Sequence, residues 1–284
     1  MQTEKTSPRR RSVRMRRKRR RRLQLVYLSL AAVAVAFFLL SRGTSGGLIV
    51  ETMPTGTPHA LTQSSEKKDT SELSLPPSTY TALQLGAFDN LQSAEAESEK
   101  FKKRGAAGYV FFEGKNRLFA SVYPSRAEAR NVQQRLKDNH SVETYLYTIE
   151  LPPITMRVTG TETQLGALSG ALALPGALLS ESYSLFFALD EGRITGNEAK
   201  VEMQKQSKRV DEAIATMKSV FAGTGSKTVI NLQKTLSSLK KSIDVLSDKN
   251  ITGDVEISAQ IKYTYIEQIV VFRAFLLDPQ GKGV

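Results

Sequence analysis

A βα pattern that occurs twice, 35 residues apart, constrains the fold of this chain more than any other feature. Leu83-Gln84-Leu85-Gly86-Ala87-Phe88 is followed by Ala94, Phe101 and Gly105. At the same offset, Leu118-Phe119-Ala120-Ser121-Val122-Tyr123 is followed by Ala129, Leu136 and His140. Each copy opens on a short apolar-rich run, turns a polar corner and enters a stretch with apolar residues at helical spacing. Each then reaches a further run, Tyr109-Val110-Phe111-Phe112 in the first copy and Val142-Glu143-Thr144-Tyr145-Leu146-Tyr147 in the second. Joined through Glu113-Gly114-Lys115-Asn116, the two units read β-α-β-β-α-β. The expectation is an α+β domain over residues 79–150: a split-βαβ sheet of the ferredoxin type, with two helices on one face and the other face free.

Period-two alternation assigns side chains to those faces. Leu83, Leu85 and Ala87 point one way, and Ala82, Gln84, Gly86 and Phe88 the other. Leu118 and Ala120 oppose Arg117, Phe119 and Ser121. The helices bring Leu91, Ala94 and Phe101, and Ala129, Val132 and Leu136, as their core stripes. Gln84 and Arg117 fall on the free face, where an ordinary solvated surface is the plain alternative to a site.

These residues carry a resemblance. Leu83-Gln84-Leu85-Gly86-Ala87-Phe88 resembles the first-strand signature of the SPOR domain, V-Q-x-G-[SA]-F. Asn116-Arg117-Leu118-Phe119-Ala120-Ser121-Val122-Tyr123-Pro124-Ser125-Arg126-Ala127-Glu128-Ala129 is similar to that family's third-strand and second-helix pattern, R-V-x-x-G-P-F-x-S-x-x-E-A. The similarity spans Tyr80 to about Thr148. It implies a non-catalytic module that binds septal peptidoglycan, in particular glycan strands stripped of their stem peptides, on the free sheet face. By that resemblance Gln84 and Arg117 match binding positions. Ala87 and Lys115 stand where better-studied members often carry a serine and an aromatic, and Ser121 replaces a usual glycine. Gln84 offers both a donor and an acceptor to sugar hydroxyls and acetamido groups, and Arg117 offers a fork of donors. Phe119, on the same strand face as Arg117, is the expected replacement for the missing ring at Lys115, since apolar pyranose faces pack on flat rings. Gly86 is expected to let a ligand or strand approach the backbone closely.

The amino-terminal segment places the module. Residues 1–22 hold twelve Lys or Arg and one Glu, which is +11 of the chain's net +12. Leu23 to Leu40 is an uncharged run of eighteen residues, about 27 Å as a helix and close to the ~30 Å hydrocarbon core. It exceeds the apolar region of a cleaved signal (about 7–15 residues), so an uncleaved anchor is expected, with a cleaved secretory peptide as the alternative. The positive-inside rule keeps the basic tail in the cytoplasm and sends the rest across the cytoplasmic membrane as a single-pass protein. Beyond residue 22 the chain has 28 basic and 27 acidic groups. That balance disfavours a nucleic-acid partner for the sheet. Residues 41–78, rich in Ser, Thr, Gly and Pro, read as a flexible linker.

Past Pro152-Pro153 the spacing becomes helical, and residues 154–277 are expected to form a helical bundle. Its stripes are Leu165, Leu168, Leu172, Leu179, Tyr183 and Phe186, with a kink or split at Pro175-Gly176; Met203, Val210, Ile214, Met217 and Phe221; and Val229, Leu232, Leu236, Leu239, Ile243 and Leu246. Ile257 to Leu277, apolar around most of its circumference, is expected at the centre. The chain has no Cys, which removes thiol chemistry, disulfides and thiolate metal sites. Ala222-Gly223-Thr224-Gly225-Ser226-Lys227-Thr228 lacks adjacent Gly-Lys-Thr and follows a helix, so it reads as a turn rather than a phosphate loop. No catalytic constellation, metal site or cofactor is expected. The functional expectation is glycan binding that localises the protein to septa in cell division or sporulation. The alternatives are a scaffold whose helical domain recruits a division or sporulation protein, or a regulator of wall hydrolases.

Overall fold

The computed structural model describes residues 67–248 and 251–282. The basic tail, the expected span at 23–40 and the linker as far as residue 66 lie outside the described residues. The elements run β1 (Asp69–Leu75), β2 (Ser78–Phe88), α1 (Leu91–Lys102), β3 (Tyr109–Glu113), β4 (Lys115–Tyr123), α2 (Arg126–His140), β5 (Tyr145–Leu151) and β6 (Ile154–Gly160). Four helices follow: α3 (Glu162–Asp190), α4 (Gly196–Val220), α5 (Lys227–Asp248) and α6 (Asp254–Leu277). Ser64–Val284 forms one compact unit.

The duplicated segment folds as β2-α1-β3-β4-α2-β5, a four-stranded antiparallel sheet in the order β3-β4-β2-β5. Each helix begins on a side-chain cap that satisfies an otherwise unpaired backbone N–H. Asn90 accepts from the Gln92 N–H at 2.7 Å, and Ser125 accepts from Ala127 and Glu128. After α1 the chain returns through Gly108 at φ +60°. A Cβ there would lie 2.6 Å from Lys102 Cγ and 2.7 Å from Ser98 Oγ, so only glycine fits.

One strand pair departs from the sequence reading. Asp69–Leu75, assigned by composition to the linker, pairs antiparallel with Ile154–Gly160, assigned to the helical domain. Leu75 stands opposite Ile154, and Ser78 opposite Leu151. The register therefore carries on across two facing corners, Pro76-Pro77 and Pro152-Pro153. Proline has no N–H to give, so the ladder breaks there and a separate two-stranded ribbon leaves the sheet.

A second departure corrects the face assignment. Leu83 opposes Ser121, Gln84 opposes Phe119 and Gly86 opposes Leu118, which leaves Ala120 and then Leu85 without a cross-strand partner. Such bulges shift alternation by one residue. Cross-strand partners share a face, so Ala87 joins Arg117, Gln84 and Phe119, while Gly86 turns to the side of buried Leu118.

The expected free face is not free. α6 lies against β3, β4 and β5, so helices cover both sides of the sheet. Tyr263 packs on Tyr109 with ring centroids 4.9 Å apart, and Tyr265 meets Tyr80 edge-on at 6.4 Å. Ala82, Phe111, Phe119, Val122, Ile149 and Leu151 belong to the same buried cluster as the bundle's leucines. The reason is composition. β2 to β5 place Tyr80, Tyr109, Phe111, Phe119, Tyr147 and Ile149 on that face, too much apolar surface to leave in water. The opposite face fares less well than expected. Ala94 and Ala129 are buried, but Leu91 is 51% exposed and Phe101, Val132 and Leu136 are only half-buried.

In the bundle each helix packs on its neighbours in sequence, and α6 closes the ring against α3. Of the kink or split expected at Pro175-Gly176, the split does not occur: α3 is one continuous helix through Pro175. A capping box between Thr161 and Gln164 starts it, and Pro175 itself is buried in the core. Among the described residues α3 alone is long and apolar enough to cross a membrane by length and composition. α4 opens on a second capping box, Thr195 with Glu198. Gly196 there meets α6 so closely that a Cβ would lie 2.4 Å from Ile257 Cδ1. Lys262, on α6, binds Asp190 Oδ2 at 2.8 Å and the Gly105 carbonyl at 2.9 Å, tying the bundle to the loop after α1.

Because sheet and bundle share one core, Phe119→Ala should destabilise Ser64–Val284 by about 3–5 kcal/mol. Urea unfolding should show sheet and helices melting in one transition. Two separated transitions would show that the domains are independent.

Candidate functional site

At the end of the sheet where β2 finishes and β4 and β5 begin, Ala87, Lys115 and Tyr145 are exposed. Arg117 sits there, half-buried, its Nη1 donating to Gln84 Oε1 at 3.0 Å. Its guanidinium lies 4.8 Å from the centroid of the Tyr147 ring, within cation–π range. Beneath, the Phe119 ring stacks between Phe111 at 5.7 Å and Tyr147 at 5.4 Å. The Tyr147 ring thus backs the guanidinium, and Gln84 restricts its rotation. Arg117 Nε has no hydrogen-bond partner, although buried polar groups are nearly always satisfied. That nitrogen is itself shut off from solvent, so any contact with a ligand falls to the terminal nitrogens of the half-exposed guanidinium.

The sequence-predicted residues separate into three groups. Gln84, Arg117 and Ala87 share the face and the open end, with Ala87 exposed. Lys115 is exposed nearby and pairs with Asp89 at 3.2 Å, a surface bridge of little energetic weight. Phe119 and Gly86 do not serve as expected. Phe119 is 0% exposed, roofed by the contacts that bury the face, so its ring supports Arg117 and meets no sugar. A Cβ on Gly86 would lie 3.0 Å from Phe88 Cε2. The missing side chain makes room for the Phe88 ring, on the face opposite Arg117, and not for a ligand.

Two residues went unrecognised. Tyr145 stands directly opposite Gln84 across β2 and β5 and is 62% exposed. Tyr147 underlies Arg117. Their signal was in the run Thr144-Tyr145-Leu146-Tyr147, whose alternation puts both rings on one face once the register with β2 is known. Tyr145 takes the place, as an accessible ring, that Phe119 was expected to fill. Chemically the end of the sheet offers an amide, a half-exposed guanidinium, and an exposed aromatic face. That is a set suited to hydroxyls, acetamido groups and the apolar face of a pyranose.

The match to known families coincides with this region. Residues 77–147, a quarter of the chain, fit the family model described as the SPOR domain. This stretch is a SPOR domain. SPOR domains bind peptidoglycan. No curated protein and no solved structure matches the chain. The matched residues begin at the first Pro-Pro corner and end within β5, so β1, β6 and the bundle fall outside the match.

Since Arg117 is half-exposed and its partners rest on other contacts, Arg117→Lys should change the urea stability of Ser64–Val284 by no more than about 1 kcal/mol. Lysine cannot reproduce the planar stack or the fork of donors. The variant should therefore separate ligand binding from folding; a large loss of stability would make Arg117 a structural residue.

Proposed function

We propose that this chain is a non-catalytic, single-pass membrane protein that binds denuded peptidoglycan glycans through the open end of its SPOR sheet. In this reading Leu23–Leu40 anchors it in the cytoplasmic membrane, with the basic tail in the cytoplasm and the folded unit outside. It concentrates where bare glycan is plentiful, at septa in division or sporulation. The observation that carries the reading is Arg117. It is stacked on Tyr147, bonded to Gln84 and half-exposed as a residue near the exposed Tyr145, inside the segment that matches a peptidoglycan-binding family.

A sugar polymer fits this arrangement better than a charged ligand does. One cation with an amide and two tyrosines gives orientation without a strong field, and ring stacking supplies affinity regardless of charge. Strands sit about 4.8 Å apart, so the open strip from β4 across β2 to β5 is roughly 10 Å wide. That width suits about two sugar rings lying across the strands. The bundle, continuous with the sheet through one core, acts as a rigid body behind the site.

The test is cosedimentation of Ser64–Val284 with purified sacculi, with and without amidase treatment. Amidase treatment should raise binding. Gln84→Ala with Arg117→Ala, and separately Tyr145→Ala, should each reduce it about tenfold or more, in line with the loss of one or two charge-assisted contacts or a stacking ring. Undiminished binding by folded variants would place the site elsewhere, and equal binding to untreated sacculi would remove the preference for denuded strands.

A further inference from the structure

The helix-covered face of the sheet carries a feature that the sugar site does not use. In a filled βαββαβ core the helical stripes are buried, yet Phe101, Val132 and Leu136 remain half-buried, as do Leu85, Ala106 and Val142. They stay partly wet because they border an apolar slot of about 210 Å³ between α1 and α2, floored by Leu83 and Ala120. The slot opens into a wider cleft of about 510 Å³ at the junction with the bundle, and the two share Arg104, Tyr123, His140 and Lys262 in their lining.

The charged groups at the mouth of the slot are equal in number, Arg104, Arg135 and Lys262 against Asp190, Glu191 and Asp254, but they are unequally paired. Its carboxylates are spent: Asp190 on Lys262 at 2.8 Å and on the Ser258 hydroxyl, Glu191 on Arg193 at 2.7 Å, and Asp254 on the Gly196 N–H at 3.0 Å. The arginines are not. Among the described residues Arg135, at the rim, forms no ion pair, and Arg104 has only the face of Phe101, at 5.5 Å. Both guanidiniums are exposed and face the same opening, with His140 between the slot and the cleft.

We propose that this slot binds a single-chain anionic amphiphile. Its alkyl chain lies between α1 and α2 over Leu83, Leu85 and Ala120, and its carboxylate sits at the mouth against Arg104 and Arg135. The physical drive is twofold. Half-wet apolar lining is covered at roughly 25 cal/mol per Å², and two unpaired guanidiniums gain a partner of matching planar geometry. A slot of about 210 Å³ holds roughly seven water-sized units, which sets the scale of a medium-length chain with its head in the wider cleft. The site lies on the face of the sheet opposite Gln84 and Arg117, so it stands independently of the glycan reading.

The experiment titrates Ser64–Val284, a compact unit with its own core, with cis-parinarate, whose fluorescence rises on leaving water. Saturable enhancement is expected, displaced by dodecanoate and at least about tenfold less well by dodecanol, the difference a charge-assisted contact makes. Arg104→Ala with Arg135→Ala should weaken parinarate by about tenfold or more. Both side chains are exposed, so this variant should keep the parent's urea stability. Val132→Phe, on the half-buried face of α2, should fill the slot and remove the enhancement, while neither change alters sacculus binding. Absence of saturable enhancement overturns the proposal, and so does enhancement that survives both variants. Equal displacement by dodecanol and dodecanoate overturns the assignment of an anionic head.

Discussion

Burial of one aromatic sheet face beneath α6 is the interaction on which the rest of the architecture depends. Phe119 and Tyr265 are both excluded from water, and around them a single apolar cluster runs from Ile149 and Leu151 in the sheet to Leu232 and Leu236 in the bundle. At about 25 cal/mol per Å², rings of this size contribute kilocalories each. Separating sheet from bundle would expose them together. The contact is therefore structural and permanent in character. It fixes the bundle's position relative to the sheet and confines any ligand on that face to the strip α6 leaves open. Polar ties at the rim, Arg273 to the Glu150 carbonyl at 3.1 Å and Lys262 to Gly105, orient the interface more than they strengthen it.

The bulged register converts that constraint into a site. Without the irregularity at Leu85, Ala87 would point toward the helices and Gly86 toward the ligand face. With it, Ala87, Arg117, Gln84 and Tyr145 come onto one surface at the uncovered end. Arg117 then benefits from being held at an edge. It is dry enough for its stack on Tyr147 to be firm, with Nε buried, while the residue as a whole stays half-exposed. A fully buried arginine would demand an internal carboxylate, and a fully exposed one would lack orientation.

The duplication made the sheet, its strand order and its two helices legible, because alternation and helical spacing report on local structure and on which side faces a core. Gln84 and Arg117 were legible for the same reason. What the sequence did not disclose depends on distant pairing. Asp69–Leu75 contains Thr, Ser, Glu and Lys-flanked polar positions that read as linker, and becomes a strand only because Ile154–Gly160 supplies its hydrogen bonds. Phe119 and Arg117 look equivalent at i and i+2, and only the docking of α6 separates buried ring from open guanidinium. Pro175 predicts a kink or a split, yet α3 runs on without a split around one missing N–H. The slot between α1 and α2 was hidden likewise, since Phe101, Val132 and Leu136 have the spacing of a closed core and differ from one only in how far the helices stand apart.

The two facing Pro-Pro corners have a mechanical meaning. Chain arriving from the amino-terminal side reaches the sheet through β1, which is held by seven consecutive pairings to β6 and is followed, across the corner, by the strand that carries Gln84. A pull along β1 loads those pairings side by side in shear, so they resist collectively instead of peeling one after another. In the proposed role, strung between a fixed polymer and a fluid bilayer, the protein would gain from such a clasp: tension would be borne by the ribbon before it disturbed the strands that carry Gln84 and Arg117.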